Sequence, residues 1–445
     1  MRTLISETVS HVGEKALVKG WVQIRRDHGK LIFFNLRDRS GFLQIVINAN
    51  VSESAYKVAK EVRPEYAVEI TGEVKKRPQN AIAKDFSTGG VELEAQEIKI
   101  LSKAEALPFD TGGENLNLEL PTLLDHRSLA LRHPQIGSIF YVQETIAEEF
   151  RKAAKGIGCT EIFVPTISTS ATEGGAEVFG LNYYDHKAFL TQSPQLYKQI
   201  MVGVFERVFT IAHAYRAEPS VTARHLAEVV QLDCEIGFIE NFDELLDILE
   251  NVGTSIIRET TNKHKDIFDF FKIEKAVIPN QIPRLTLKQA QDVVYKETNG
   301  KRDVRGEKDL NSTDEVILGE WAKKKHKSDL ITVTHFPTKK RAFYTMPDPK
   351  DPEISLSYDL LFRGVEIASG SQRINDYDQL IKAMKERNLN PDNFSMYLQA
   401  FKYGIPPEGG FSFGLERMTM KMLNLANIRE ASLFPRDMER VDERL

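Results

Sequence analysis

Hydrophobic residues recur with period two over the first hundred positions of this chain and with the helical period further on, a change that calls for two domains of different class. The period-two runs cover residues 16–22, 31–36, 42–46, 66–74 and 91–100, with turn residues between them. Five short strands, with one helical stretch at 52–62 between the third and the fourth, predict a small closed Greek-key barrel of the OB type. A generic small β-domain is the plainer alternative. Residues 104–134 lack periodicity and carry Pro108, Gly112, Gly113 and Pro121, so they are expected to link a barrel at 1–103 to a larger domain at 135–445. Beyond Pro134, Ile139, Val142, Ile146, Phe150 and Ala153 recur at helical spacing until Gly156 and Gly158 stop the run. An extended segment at 160–165 follows, then strands and helices in irregular alternation, which makes the fold class α+β.

Composition narrows the function. With 445 residues, 41% hydrophobic and 28% charged, the chain can build a sizeable core. A formal net charge of -5 argues against indiscriminate coating of nucleic acid, so any such contact is regional. Cys159 and Cys234 are too few and too far apart in sequence for a disulfide framework or a zinc cluster, and read as buried thiols. No window is long and apolar enough to span a bilayer, and the expected location is the cytoplasm. The basic run at 323–327 reads as a solvated helix face.

Three segments carry chemistry. Residues 215–218 (Tyr-Arg-Ala-Glu), a polar stretch, and Arg224 to Glu235 read as two strands joined by a loop, with acidic and apolar residues alternating at the end. Arginines and a histidine in such a loop suit a triphosphate, because guanidinium grips phosphate with paired hydrogen bonds. A hairpin with mutually paired surface charges is the alternative. Near the C-terminus, Gly409-Gly410-Phe411-Ser412-Phe413-Gly414 precedes a helical run that Arg417 would open, with glycines that let the backbone approach a ligand. Between the two, Asp359 and Glu366 are hard oxygen ligands of the kind magnesium uses when it also holds phosphates.

The segments ending at Pro165, running over 215–235 and running over 409–425 resemble, in order, the three signature motifs of class II aminoacyl-tRNA synthetases. Within that class the chain is similar, nearly end to end, to the aspartyl-tRNA synthetases of the compact archaeal type that also occurs in some bacteria. Residues 172–175 (Thr-Glu-Gly-Gly), 192–199, 364–373, 427–430 and 433–437 fit that family. The resemblance implies an OB-fold anticodon-binding barrel and a catalytic domain built on an antiparallel sheet flanked by helices.

It also implies roles. Glu173 would meet the amino group of L-aspartate, Gln195 and Ser369 would add substrate contacts, and Lys198 and Arg373 would bind the side-chain carboxylate. Arg216 would meet the α-carboxylate and the α-phosphate, and with Arg417 is the expected catalytic group. ATP would be held by Arg216, Glu218, Arg224, His225, Leu226, Glu366, Gly414, Leu415, Glu416 and Arg417, and Mg2+ by Glu366, Ser369 and Asp359. Two buried cations suit aspartate better than the neutral amide of asparagine. Val229 stands where several relatives carry an aromatic ring, so adenine would lean on an aliphatic surface with Arg417 opposite.

On the barrel, Phe33 would offer a stacking face, and Arg25, Arg26 and Gln44 polar contacts, to the anticodon. Core aromatic and solvated charge are their alternative roles. Gln23 and Pro78 occupy positions where the compact type separates tRNA(Asp) from tRNA(Asn); Pro78 matches tolerant members and Gln23 matches neither pattern. Tolerance implies charging of both tRNAs and a partner tRNA-dependent amidotransferase. The motif ending at Pro165 implies a homodimer. Three alternatives stay open: an asparaginyl-tRNA synthetase, a stand-alone asparagine synthetase of related fold, which would lack the barrel, and a non-catalytic RNA-binding paralogue.

Overall fold

Alternating burial builds the first unit. In strand β1 (Lys15–His28) and strand β2 (Leu31–Asp38) alternate residues such as Val18, Ile32, Phe34 and Leu36 are inaccessible while their neighbours are partly exposed. With β3 (Gly41–Asn48), β4 (Ala67–Lys76) and β5 (Val91–Ser102) they close a barrel in the order β1-β2-β3-β5-β4. Helix α1 (Glu53–Glu61) lies between β3 and β4, capped by the Ser52 hydroxyl, which accepts from the Ala55 N–H. This is the expected OB topology. Strand β1 runs past the expected residue 22 because a register shift between Val22 and Ile24 lets it go on pairing with β2 as far as His28 and Leu31. The computed structural model describes residues 1–83, 87–113, 115–169, 178–219 and 222–441.

The chain divides into units 1–118 and 119–445. The stretch 104–134, expected as one connector, is therefore split. Its first part belongs with the barrel, where the Gln23 amide donates to the Thr111 carbonyl at 3.2 Å. Its second part forms the short helices α2 (Leu120–Asp125) and α3 (Arg127–Ala130), and Arg127 donates to the carbonyls of Glu430, Ser432 and Leu433 at 2.6–3.1 Å. Segments held by polar bonds to distant backbone leave no hydrophobic period to read.

Helix α4 (Pro134–Gly156) starts with proline in its first turn and buries Ile139, Val142, Ile146 and Phe150 along one face. The predicted extended segment is regular only at β6 (Thr160–Glu161); Phe163 beyond it is 87% exposed. Next come a small sheet of β7 (Ile167–Ser168), β8 (Gly180–Tyr183) and β9 (His186–Leu190), then α5 (Gln195–Phe205), β10 (Arg207–Tyr215) and β11 (Glu228–Gly237). Helices α6 (Phe242–Lys263) and α7 (Lys265–Phe270), strand β12 (Arg284–Thr286), helices α8 (Leu287–Glu297) and α9 (Ser312–His326) and strand β13 (Leu330–Thr334) follow. A two-stranded ribbon, β14 (Pro347–Asp348) and β15 (Asp351–Ser355), precedes β16 (Ser357–Phe362) and β17 (Val365–Gln372). Helices α10 (Tyr377–Glu386) and α11 (Ser395–Lys402), β18 (Glu408–Gly414) and α12 (Leu415–Met422) complete the unit.

Eight strands form the main sheet, in the order β12-β13-β16-β17-β18-β11-β10-β6. Its inner ladders are antiparallel, as expected, but β6 pairs parallel to β10 and β12 parallel to β13, so the sheet is mixed. Both edge pairs are joined through helices, the connection that parallel pairing requires. One face carries the core, where Phe150 of α4 and Leu249 of α6 pack with Phe209, Leu232, Phe411 and Phe413. The other face is left for chemistry. Among the described residues no helix is long and apolar enough to cross a membrane, and Lys323 to Lys327 are exposed at the end of α9.

Candidate active site

Alternation along β11 sends Leu232, Cys234 and Ile236 into the core and Asp233 and Glu235 to the opposite face, all fully buried. The two carboxylates meet Lys198 of α5, whose Nζ lies 2.7 Å from Asp233 Oδ1 and 3.1 Å from Glu235 Oε2. Arg373, just past β17, donates to Glu235 through Nε at 2.7 Å and Nη2 at 3.3 Å, and through Nη2 to Gln195 Oε1 at 3.2 Å. Burial acts to lower the Lys198 pKa, but the Asp233 and Glu235 charges outweigh it and hold the amine above its usual range. Burial likewise works against the Glu235 charge, and Arg373 and Lys198 prevail, keeping its carboxyl below the usual range. Gly410 is required here: a Cβ would stand 2.2 Å from Glu235 Oε2. A Cβ on Gly409 would stand 2.3 Å from Leu245, so this glycine pair makes room for the protein's own side chains rather than for a ligand. Gln195, Lys198 and Arg373 line a cavity of about 240 Å3.

Arg216 stands on the wall of that cavity and also of a second one, which Arg224, His225, Leu226, Glu366 and Arg417 line; Ser369 is shared in the same way. Among the described residues the Arg216 guanidinium has no hydrogen-bond or ion-pair partner, which leaves it open to an anion placed between the two cavities. Arg224 is held by Glu315 of α9 at 2.8 Å and by the Gly364 carbonyl at 3.3 Å. Arg417, in the first turn of α12 as expected, pairs with Glu366 at 3.4 Å. Burial first, then the Arg417 charge, lower the His225 pKa, so its imidazole is neutral near pH 7. Burial and the Glu366 charge push Glu315 up to about 7, and burial pushes Glu416 to about 7 while both its oxygens accept from the Val230 N–H. Val229 lies on the same wall as Arg417.

Other expected residues fall elsewhere. Leu415 packs in the core, and Glu218 is half-buried near His225 but off the cavity wall. Asp359 is also off the wall: its Oδ2 accepts from Arg341 at 2.7 Å, and its Oδ1 is buried without a hydrogen-bond partner. Arg341 also donates to the Ser369 hydroxyl at 3.2 Å. No group of three or more His, Cys, Asp or Glu side chains among the described residues is arranged to hold a metal ion. Glu366 and Ser369 stand on one cavity wall, the Glu366 side chain 34% exposed, and as oxygen donors they fit a divalent cation that takes its remaining oxygens from a phosphate. Glu173 lies outside the described residues.

On the barrel, ladder pairing sets Arg26 opposite Phe33 and Gln44 opposite Asn35 on the outer face of β1, β2 and β3. Phe33 is half-buried there, edge-on to His28 at 5.7 Å, and is not a core aromatic. Gln44 donates to Glu92 at 2.9 Å and Arg25 to Asp27 at 2.9 Å. Pro78 is exposed before a short 3-10 turn. Gln23 does not join this surface: the bulge turns it inward, 7% exposed, beneath Thr111.

Sequence reasoning noted that acidic and apolar residues alternate around Asp233 and Glu235 but gave those two no role, and it passed over Arg341 and Glu315. The alternation at 232–236 was the available signal for the first two, since acids spaced by two beside apolar residues in a central strand must be buried and paired. Arg341 and Glu315 carried no local signal.

Comparison with known proteins bears on the whole arrangement. Residues 119–438 match the family described as tRNA synthetases class II (D, K and N), and residues 16–101 match the OB-fold nucleic acid binding domain. The chain is 38% identical to the aspartate–tRNA(Asp/Asn) ligase of Thermus thermophilus, over 99% of this chain and 100% of that one. It is also 38% identical to the aspartate–tRNA(Asp) ligase of Pyrococcus furiosus, over 96% of each. The crystal structure of asparaginyl-tRNA synthetase from Pyrococcus horikoshii complexed with asparaginyl-adenylate superposes with a TM-score of 0.90 at 30% identity, covering 99% of each chain.

Proposed function

Because this chain belongs to the class II tRNA synthetases of the D, K and N group, we propose that it is an aspartate–tRNA ligase, which activates L-aspartate with ATP and passes it to the 3′ end of tRNA. The observation that carries the choice of amino acid is the buried pair Lys198 and Arg373 on the wall of one cavity, joined through Arg216 to an arginine-lined second cavity. Lys198 and Arg373 receive the substrate side-chain carboxylate, with Gln195 and Ser369 beside it and Glu173 at the amino group. ATP occupies the second cavity against Arg224, His225, Leu226, Glu366, Gly414, Glu416 and Arg417, with adenine between Val229 and the Arg417 guanidinium.

The aspartate α-carboxylate attacks the α-phosphorus in line, the bond to the β-phosphate oxygen breaks, and pyrophosphate leaves. Arg216, free of any internal partner among the described residues, neutralises the charge that develops on the α-phosphate. Glu366 and Ser369 are the residues that would hold Mg2+, which supplies positive charge beside the triphosphate. A terminal ribose hydroxyl of tRNA then attacks the aspartyl carbonyl of the adenylate, the ester forms, the bond to the α-phosphate oxygen breaks, and AMP leaves. Rate enhancement on this reading is positioning and charge stabilisation.

The outer face of β1 to β3, with Phe33, Arg26 and Gln44, is the proposed anticodon surface. Pro78 supports charging of both tRNA(Asp) and tRNA(Asn), with a tRNA-dependent amidotransferase to amidate the second product. A cytoplasmic homodimer completes the proposal; a stable, active monomer in sedimentation would refute the dimer. The deciding experiment on the amino acid is ATP–pyrophosphate exchange without tRNA. Aspartate should drive it and asparagine should not; stronger exchange with asparagine would transfer the assignment to an asparaginyl-tRNA synthetase.

A further inference from the structure

One more carboxyl group is buried behind the wall of the amino-acid cavity, on a residue joined through its backbone to Arg373, and the activation reaction does not use it. Glu408, at the start of β18, is wholly inaccessible. Its Oε1 accepts from the Gln199 amide at 2.8 Å, and the amide is oriented by Tyr397, whose hydroxyl donates to Gln199 Oε1 at 3.1 Å. Its Oε2 is buried with no hydrogen-bond partner. Its main-chain carbonyl accepts from the Arg373 N–H at 2.9 Å, tying it to the substrate-binding arginine.

The charges around it can be counted. Lys198 and Gln199 face it from α5, Glu235 from β11, Arg373 from beyond β17 and Tyr397 from α11. Lys198 and Arg373 bring two positive charges; Asp233 and Glu235 bring two negative ones, and the cluster balances. An ionised Glu408 would add a third anion with one oxygen unpaired, in a space closed to water, which is a costly arrangement. An incoming side-chain carboxylate adds an anion to the same cluster. Two uncompensated anions there would repel; one can be shared between the two cations. Burial and the Glu235 charge push the Glu408 carboxyl well above the usual range, in the same direction as this count.

We propose that Glu408 is a specificity-determining residue of the amino-acid site, acting as a neutral carboxylic acid so that the Lys198 and Arg373 cluster can accept a substrate carboxylate. The idea rests on the aspartate assignment above. It acts through the charge of the cluster and not by touching the substrate, so its signature is a pH dependence that belongs to aspartate alone.

The test compares the full-length protein with its Glu408→Gln variant in ATP–pyrophosphate exchange between about pH 6 and pH 9. KM for aspartate and the inhibition constant of asparagine as a competitor are measured together. Their ratio cancels the α-amino and α-carboxyl groups that both ligands share. In the parent the ratio should climb toward alkaline pH, approaching about tenfold per pH unit once Glu408 loses its proton, while KM for ATP stays level. In Glu408→Gln, whose amide cannot ionise, the ratio should be flat, and Glu408→Ala should be flat as well if the glutamine variant folds poorly. A parent ratio that climbs with the same slope as in the variants, or a Glu408→Gln ratio at pH 7 that differs from the parent's by more than about tenfold, would overturn the proposal while leaving the aspartate assignment intact. Exchange driven by asparagine and not by aspartate would sink both.

Discussion

Lys198 Nζ lies 2.7 Å from Asp233 Oδ1, with the two side chains 1% and 0% exposed. The same ammonium reaches Glu235 at 3.1 Å and the Cys234 carbonyl at 3.3 Å, so its three protons already have three acceptors. A substrate carboxylate must therefore share or displace one of these bonds. On the proposed reading, Lys198 and Arg373 are already paired before aspartate arrives, and discrimination against the neutral amide falls on the charge of their cluster.

Removal of Glu235 tests that balance directly. Glu235→Ala leaves Arg373 and Lys198 with less counter-charge in a buried site, a change that typically costs about 3–5 kcal/mol. Urea unfolding should show a loss of that order. A variant as stable as the parent would mean that water or a rearranged Asp233 compensates.

Lys198→Met and Arg373→Ala should each raise the aspartate requirement far more than the ATP requirement, because both residues line the cavity proposed for aspartate and neither lines the other one. Initial rates at varied aspartate and ATP separate the two. Unchanged aspartate dependence in both variants would remove the proposed carboxylate site.

Glu416 should impose a pH dependence on stability. Its carboxyl is raised from 4.5 to about 7 in the folded protein, chiefly by burial. The folded state thus holds the proton more tightly than the unfolded state does, so stability falls as pH rises from about 4.5 to about 7 and then levels off. Glu416→Gln lacks this loss. Relative to the parent it should gain roughly 3 kcal/mol between pH 4.5 and pH 8, read from unfolding curves at the two pH values. A constant difference would contradict the raised pKa.

Tolerance for two tRNAs is decided by charging purified tRNA(Asp) and tRNA(Asn) separately with labelled aspartate. Comparable efficiencies are expected from Pro78. A preference for tRNA(Asp) of more than about a hundredfold, or ~2.7 kcal/mol, would rule tolerance out. The inward turn of Gln23 adds a second expectation: Gln23→Ala should disturb the packing of Thr111 on the barrel before it changes the choice of tRNA.

Much of the architecture was legible because local pattern encodes it. Alternation over 31–36 announced a strand with one buried face, and proline and glycine at the ends of 134–156 bounded a helix, since period and capping depend only on residues a few positions apart. The ordered segments around Arg216, Glu366 and Arg417 likewise singled out residues that the fold brings to the wall of one cavity. The partners of those residues were not legible. Glu315 holds Arg224 from 91 positions away, Glu235 holds Arg373 from 138, and Arg341 takes the carboxylate of Asp359, which the residue types alone had offered to magnesium. Buried charge demands a counter-charge but does not say which element will deliver it, and only the packing of the sheet and its helices brings those distant side chains within hydrogen-bond reach.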